Sequence, residues 1–402
     1  MNLSSLYSSC RSALLARAQC NKSVATLLAE VLSLRSYPNR ISSEEYFALK
    51  LYLRSPEEQR TFLGTALEGP INYIMSSPFW FSTIRDKLSF HNILKAAGIL
   101  TPSILAVYGK DGSFGATRSV STREGLEELL LHNLPPAYFG KPSNADVGIG
   151  AIRVTKRDQS SGTLVLADGT SHPVKNVADE IVGMKYGNYL FQEILHNARE
   201  LEEIVGPGLS TVRICMIHDG HAPKVFRAFL KICLKSNHND NWDYGRYGNA
   251  LGFLDPNSGK IKNLVTGIWP NVAFSDHHPE TSRKLSGVAL PFWSDLVETC
   301  CRASHCFPGF RVMHWDVAIT PKGPSLVEMN EDGSLLALQE CGNKGFFDDE
   351  FKTFLARFGH DLCSKSTQQL IARIARIVGD LYGMDNAYLG RGTLYEPVKS
   401  MK

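Results

Sequence analysis

The sequence predicts an α+β protein with helices at both ends and a strand-rich middle, and three observations carry that expectation. Leucines recur at helical spacing in the first 80 residues; apolar and polar positions alternate between Gly, Asp and Asn turns through the middle; a helical stripe returns beyond Phe347. A chain of 402 residues suffices for two or three domains with cores of their own. Lys and Arg number 43 against 40 Asp and Glu, a net +3, with 43% hydrophobic and 21% charged residues. That balance excludes a collagenous, wholly disordered or nucleic-acid-coating chain. No apolar run reaches the roughly 18 residues that a membrane-spanning helix needs.

In order, Leu14, Leu15, Leu27, Leu28, Val31 and Leu32 fall near a 3.6-residue period, and Ser42-Ser43-Glu44-Glu45 is a helix start. No acid precedes Glu30, whereas Arg11, Arg17 and Lys22 do. This serine-rich opening resembles an organelle transit peptide, but the adopted reading is a basic amphipathic helix. Residues 86–98 fit a helix closed by Gly98, residues 104–108 a strand, and 122–131 a helix capped by Thr122. Strands follow at 137–141, 150–155, 163–166 and 189–194, with an Asp168-Gly169 turn after the third. Strands 210–218 and 224–234 form a hairpin through Asp219-Gly220, and 250–254 and 261–264 flank another turn. Residues 290–306 read as a helix, 313–320 and 326–330 as a hairpin over a turn at 321–324, and 347–382 as helical again.

The nine cysteines (10, 20, 215, 233, 300, 301, 306, 341 and 363) are odd in number and follow no secretory pattern, so reduced thiols in a cytoplasmic protein are expected. Cys300, Cys301, His305 and Cys306 read as helix packing, because adjacent cysteines rarely face one ion.

Candidate chemistry lies in three places. Asp316 sits on one strand of the last hairpin, and Glu328 and Asn330, two apart, leave one face of the other. Three oxygen donors converging among apolar neighbours suit a hard divalent cation. Lys141-Pro142, then Gly148 and Gly150, offer a cation and close backbone approach to phosphate, although strand rather than helix follows. Arg213, Arg227, Lys231, Lys235 and Arg246 put cations on adjacent strands and their loop, which calls for acids or an anionic ligand. The asparagine-rich loop 237–249, with Asn241-Trp242, has a functional length, and His277-His278-Pro279 reads as surface. Phosphate donors, a cationic sheet and a distal trio of oxygen ligands together call for a nucleoside triphosphate with magnesium.

That order resembles the ATP-grasp superfamily, specifically the sugar-transfer associated ATP-grasp family, over residues 40–335. The resemblance runs from Ile41-Ser42-Ser43-Glu44-Glu45-Tyr46-Phe47 through Asp86-Lys87, Gly98, Lys141-Pro142, Gly148/Gly150 and Gln192-Glu193-Ile194-Leu195. It continues through Ser210-Thr211-Val212-Arg213, Asn241-Trp242, Leu290-Pro291-Phe292-Trp293, Trp315-Asp316-Val317-Ala318-Ile319-Thr320 and Glu328-Met329-Asn330. It implies an ATP-grasp fold, two α+β subdomains clamping ATP, with helical extensions at both termini. The implied parts are a helical region 1–80, a first nucleotide-binding part 81–200, a second with the metal site 201–346, and a C-terminal extension 347–402.

By the resemblance, Lys87 and Lys141 contact phosphates beside Gly148 and Gly150, and Glu193 and Leu195 form the linker whose backbone reads adenine. Gln192 and Asn241 complete the nucleotide set. Asp316, Glu328 and Asn330 hold Mg²⁺, or Mn²⁺ in its place; Arg213 and Lys231, with Arg227, face the γ-phosphate or the acid being activated. Departures are a sparse glycine loop, Glu331-Asp332-Gly333 after Asn330, and His91 where some relatives carry a phosphate lysine. Glu200, Glu202 and Glu203 compete for the ribose. The implied activity is an ATP-dependent carboxylate–amine ligase working through an acyl phosphate on small-molecule acids and amines, toward a peptide-like or saccharide-linked product. It implies no nucleic acid and no membrane span, and is compatible with a homodimer. A phosphotransferase acting on an alcohol, or a nucleotide-binding protein without turnover, are the alternatives.

Overall fold

The computed structural model describes residues 3–382 other than 110–116, 146–147, 186, 235–236, 238–239, 243–244 and 332. Lys235 of the cation set therefore lies outside the described residues. The chain opens with α1 (Leu3–Arg17), α2 (Val24–Leu34) and α3 (Ser43–Ala48), the last begun by a capping box between Ser42 and Glu45. Leu27, Val31 and Leu34 pack with Tyr46 and Phe47 into a separate helical core. Then come the short α4 (Pro56–Gln59), α5 (Glu68–Met75), α6 (Phe81–Arg85) and α7 (Lys87–Ala96), whose N-cap Asp86 accepts from the Ser89 amide.

The first sheet contains β1 (Ile104–Tyr108), β2 (Ser119–Val120), β3 (Tyr138–Pro142), β4 (Ile152–Asp158), β5 (Thr163–Leu166), β6 (Ser171–Pro173) and β7 (Tyr189–Gln192), in the order β2-β1-β7-β3-β4-β5-β6. Its helices α8 (Arg123–Glu128) and α9 (Val174–Gly183) cover one face, where Tyr138, Val154 and Phe191 meet Leu126, Val177 and Ile181. By alternation Phe139, Lys141, Arg153, Leu190 and Gln192 leave the other face.

After α10 (Arg199–Val205) the second sheet is built from β8 (Thr211–His218), β9 (Pro223–Ile232), β10 (Ala250–Leu254), β11 (Ile261–Thr266), β12 (Ala273–Ser275), β13 (Val312–Thr320) and β14 (Gly323–Asn330). Its order is β12-β11-β10-β9-β8-β13-β14, with every pairing antiparallel. Val212, Ile214, Met216, Leu230, Trp315 and Val317 bury one face against α7, α10 and α11 (Trp293–His305). The opposite face is divided. Cys215, Phe229, Leu251 and Val265 pack under α5, α12 (Leu335–Gly342), α13 (Asp349–Arg357) and α14 (Lys365–Tyr382), and the charged residues fill the rest.

The helical stretch 347–382 is two helices, because Gly359, at φ 78°, ends α13 in the left-handed conformation and Asp361–Ser364 turns the chain before α14. The structure corrects two sequence expectations. The last hairpin turns over Pro321-Lys322 alone, since Thr320 already pairs with Gly323 at φ 108°. His278 is buried rather than on the surface: its Nε2 donates to the Val205 carbonyl at 3.2 Å and its Nδ1 accepts from the Glu280 and Thr281 amides. The α11 thiols diverge as packing residues do. Cys300 enters the core, the Cys301 Sγ turns to the Pro223 carbonyl and the Cys306 Sγ to its own helix at Arg302.

Candidate active site

Alternation on β13 and β14 sets the metal candidates. Asp316 lies directly opposite Glu328, and His314 opposite Asn330, so these four share one sheet face before a bulge shifts the register at Val317. The Asn330 amide donates to Glu328 Oε1 at 3.2 Å. On the other side of β13, Asp316 faces Arg213 across the β8 pairing.

The two form a bidentate pair, Nε to Oδ1 at 2.5 Å and Nη2 to Oδ2 at 2.8 Å. Lys231 adds a contact to Asp316 Oδ2 at 3.3 Å and another to Asp240 at 3.4 Å. Burial would raise the Asp316 carboxyl, but Arg213 and Lys231 outweigh it and hold the group well below the usual carboxylate range. Burial works against the Lys231 ammonium too, and Asp240 with Asp316 keeps it above its ordinary value. Asp316→Ala would strand the buried Arg213 and leave Lys231 with Asp240 alone, so the unfolding free energy is expected to fall by about 3–5 kcal/mol in urea melts.

The first sheet contributes Lys141 at the end of β3. Its Nζ stands 5.9 Å from the Phe139 ring centroid, and the charges of Glu328, Lys87 and Asp316 all reach it. Desolvation dominates and pushes the ammonium down to about 8. Lys87, the first residue of α7, donates from Nζ to the Ala145 carbonyl at 2.6 Å and from its amide to Ser143, which ties α7 to the loop after β3. Gly148 and Gly150 in that loop hold φ of 76° and 68°, which side chains rarely adopt. His91, one turn along α7, is buried on Thr101 at 2.7 Å. Lys141 from the first sheet, Lys87 from α7 and Asp316, Glu328, Arg213 and Lys231 from the second sheet thus lie in one region.

Other predicted residues stand apart. Arg227, opposite Cys215, pairs with Asp348, the N-cap of α13, and lies over the Phe226 ring, so it faces the helix rather than the Asp316 cluster. Gln192 ends β7 and Leu195 is half-buried in the linker. Glu193 Oε1 accepts from the Ser103 amide at 3.0 Å and hydroxyl at 2.9 Å, and its Oε2 from Lys322 Nζ at 3.0 Å. Burial would raise this carboxyl, and those donors outweigh it. The Asn241 carbonyl accepts from the Asn249 side chain at 2.7 Å; residues 238–239 and 243–244 of this loop lie outside the described residues.

Sequence reasoning passed over three residues here. Asp240 accepts from the Thr211 amide at 2.9 Å and joins Lys231 to the asparagine-rich loop, which was the available signal. His314 lies on the face of Asp316, opposite Cys215, a position readable from its alternation with Asp316. Glu68 accepts from the Leu335 amide at 3.0 Å across 267 residues of sequence, and no local pattern marks it.

The family profile described as sugar-transfer associated ATP-grasp matches residues 73–353. Similar solved structures include the D-Ala:D-Ser ligase VanG from Enterococcus faecalis, at 12% identity over 71% of this chain and 64% of that one, TM-score 0.40. The ATP-grasp ligase PsnB with a minimal precursor is 12% identical over 70% and 64%, TM-score 0.37. Phosphoribosylamine–glycine ligase from Thermotoga maritima is 14% identical over 72% and 58%, TM-score 0.40. The chain spans less than two thirds of the length of these structures. No curated protein matches it.

Proposed function

Because the chain belongs to the sugar-transfer associated ATP-grasp family, with the ATP-grasp fold, we propose that it is an ADP-forming ligase that joins a carboxylate to an amine through an acyl phosphate. The observation that carries the reading is the meeting of Lys141 from the first sheet with Asp316, Glu328, Arg213 and Lys231 from the second. Cations from two sheets facing a carboxylate pair suit a triphosphate bound between them.

Asp316, Glu328 and Asn330 fit a magnesium ion by their chemistry: oxygen donors only, on one face, with Asp316 held fully ionised by its cations. When bound, such an ion neutralises charge on the phosphate oxygens. The chain's own residues do the rest. Lys141 and Lys87, with the Gly148–Gly150 backbone, hold the β- and γ-phosphates. Arg213 and Lys231 offset the repulsion between the phosphoryl group and the incoming carboxylate. A carboxylate oxygen attacks the γ-phosphorus and ADP leaves with the bond's electron pair. The amine then attacks the acyl carbon and inorganic phosphate departs. Closing the two sheets over the acyl phosphate keeps water away.

The backbone of Glu193–Leu195 is the adenine reader that the family resemblance implies, and the Glu193 side chain is held by Ser103 and Lys322. Purified protein given ATP, Mg²⁺ and pooled amino acids and sugars, followed by ³¹P NMR, is expected to yield ADP and phosphate only when an acid and an amine are both present. A new phosphoester signal with one alcohol instead would make the protein a phosphotransferase. ATP binding without consumption would make it a binding protein.

A further inference from the structure

The asparagine-rich loop meets a buried acid that the phosphate site does not use. Trp242 is 6% exposed and packs with Phe229, Leu251 and Val265 of the second sheet and Leu338 of α12. Its indole Nε1 donates to Glu340 Oε2 at 3.3 Å, and Glu340, on α12, is likewise 6% exposed. The helix that carries Glu340 is fixed on both sides. Gln339 accepts from the Leu63 amide at 2.9 Å and donates to the Leu63 carbonyl at 2.8 Å, and Asn263 on β11 donates to the Cys341 carbonyl at 3.0 Å. The acid is thus the firm partner, and the indole is what it holds.

Two residues before Trp242, Asp240 reaches the candidate site. Its Oδ2 accepts from the Thr211 amide at 2.9 Å and from the Thr211 hydroxyl, and its Oδ1 lies 3.4 Å from Lys231 Nζ. Between the two, the Asn241 carbonyl accepts from the buried Asn249 side chain at 2.7 Å. Burial works against the Lys231 charge, and Asp240, ahead of Asp316, offsets it. Lys231 in turn meets Asp316 at 3.3 Å. Asp316 stands four residues along β13 from Thr320 at the linker end. At about 3.3 Å per residue that is roughly 13 Å, which suits the reach of a nucleotide from base to γ-phosphate. Glu340, Trp242, Asp240 and Lys231 form one line of contacts that ends there.

We propose that Glu340 is a positioning residue: by holding the Trp242 indole it sets Asp240, and through Asp240 the place of the Lys231 ammonium. The assignment rests on the reading of Lys231 as a group that meets the transferred phosphate. With the indole released, Asp240 shifts and the ammonium is drawn toward Asp316 alone. An ionised carboxylate holds a donor more strongly than a neutral one. Burial pushes the Glu340 carboxyl up to about 7, against the Trp242 hydrogen bond and the charge of Lys50, whose Nζ donates to the Val272 carbonyl at 3.0 Å. Among the described residues Lys50 is the cation whose charge reaches Glu340, and burial keeps the adjoining Cys341 a neutral thiol. The hold on Trp242 therefore tightens as pH rises through about 7.

Two readouts test this. With the tryptophans labelled by nitrogen-15, the indole signal missing from Trp242→Phe belongs to Trp242. In the wild type it is expected to move downfield as pH rises through about 7, and in Glu340→Gln to stay still. Given ATP, Mg²⁺ and pooled amino acids and sugars, Glu340→Gln is expected to form ADP about tenfold more slowly at pH about 8, with KM for ATP within about twofold of wild type. The wild-type kcat is expected to rise through about pH 7 and that of the variant to stay flat. Trp242→Phe keeps a ring in the core and loses the donor. It is expected to match Glu340→Gln, with no further loss in the double variant, and it serves alone should the Gln variant not fold. A wild-type indole signal that does not move, or variants with the kcat and pH profile of the wild type, overturns the assignment. So does a lowered melting temperature with kcat unchanged, which would make Glu340 structural only. No ATP consumption by the wild type with any pool overturns the reading of the site and the role of Glu340 with it, while a moving indole signal would still mark the Glu340–Trp242 bond.

Discussion

Glu328→Gln is expected to lower magnesium-dependent ATP turnover at least about 100-fold while leaving the melting temperature close to wild type. The two effects separate because of where Glu328 stands. It shares a sheet face with Asp316, yet the buried ion pairs run from Asp316 to Arg213 and Lys231 and do not include it. Its hydrogen bond from Asn330 can be accepted equally by a Gln oxygen. Loss of one anionic oxygen weakens the proposed cation site; the Glu328 charge also favours Lys141, Arg213 and Lys231, but Asp316 still holds Arg213 and Lys231 by direct ion pairs. ADP appearance by ³¹P NMR and thermal melting followed by circular dichroism check the two halves. Turnover near the wild-type rate would remove Glu328 from the metal set, and a large fall in melting temperature would make its role structural.

Lys141→Met is expected to cost ATP binding and gain stability at neutral pH. Burial holds the ammonium at about 8 in the folded chain, against about 10.4 for an exposed lysine. Between those values the unfolded chain binds more protons than the folded one. Wild-type stability therefore rises as pH climbs from about 8 to about 10.4, and the penalty for burying the charge is fully present below 8. Methionine fills similar volume without that charge, so urea melts at pH 7 are expected to show a gain of about 1–3 kcal/mol, shrinking toward zero near pH 10.5. Nucleotide binding has the opposite sign. Triphosphate needs the protonated amine, so wild-type affinity for a fluorescent ATP analogue should decline as pH passes 8, and the variant should bind weakly with no such decline. A variant that binds the analogue as wild type does would remove Lys141 from the phosphate site.

The shared face of Asp316, Glu328 and Asn330 was legible because its information is local. A two-residue period on 326–330, a short turn and a matching alternation at Asp316 place these side chains before any tertiary contact is known. Arg227 had the same period and a different fate. Alternation tells which face a residue leaves, not which element covers that part of the face. There it is α13, whose N-cap Asp348 claims the guanidinium. His278 reads as a loop histidine until the Val205 carbonyl meets its ring. Glu68 and Asp240 gain their importance from partners that only the assembled sheet brings near.

The fastening at the linker has a mechanical consequence. Ser103 leads into β1, Glu193 leaves β7, and Lys322 caps the β13–β14 turn, so one carboxylate joins the two sheets where the chain passes between them. The Ala198 amide on the Ile319 carbonyl and the Leu326 amide on the Leu100 carbonyl fasten the same edge. Rotation of one sheet against the other would pivot here. With the base seated at the pivot as proposed, it would hardly move, whereas the triphosphate, roughly 13 Å out along the lever, would sweep the largest arc. Opening would then free the phosphate end of spent nucleotide first, while the base still holds the molecule at the axis.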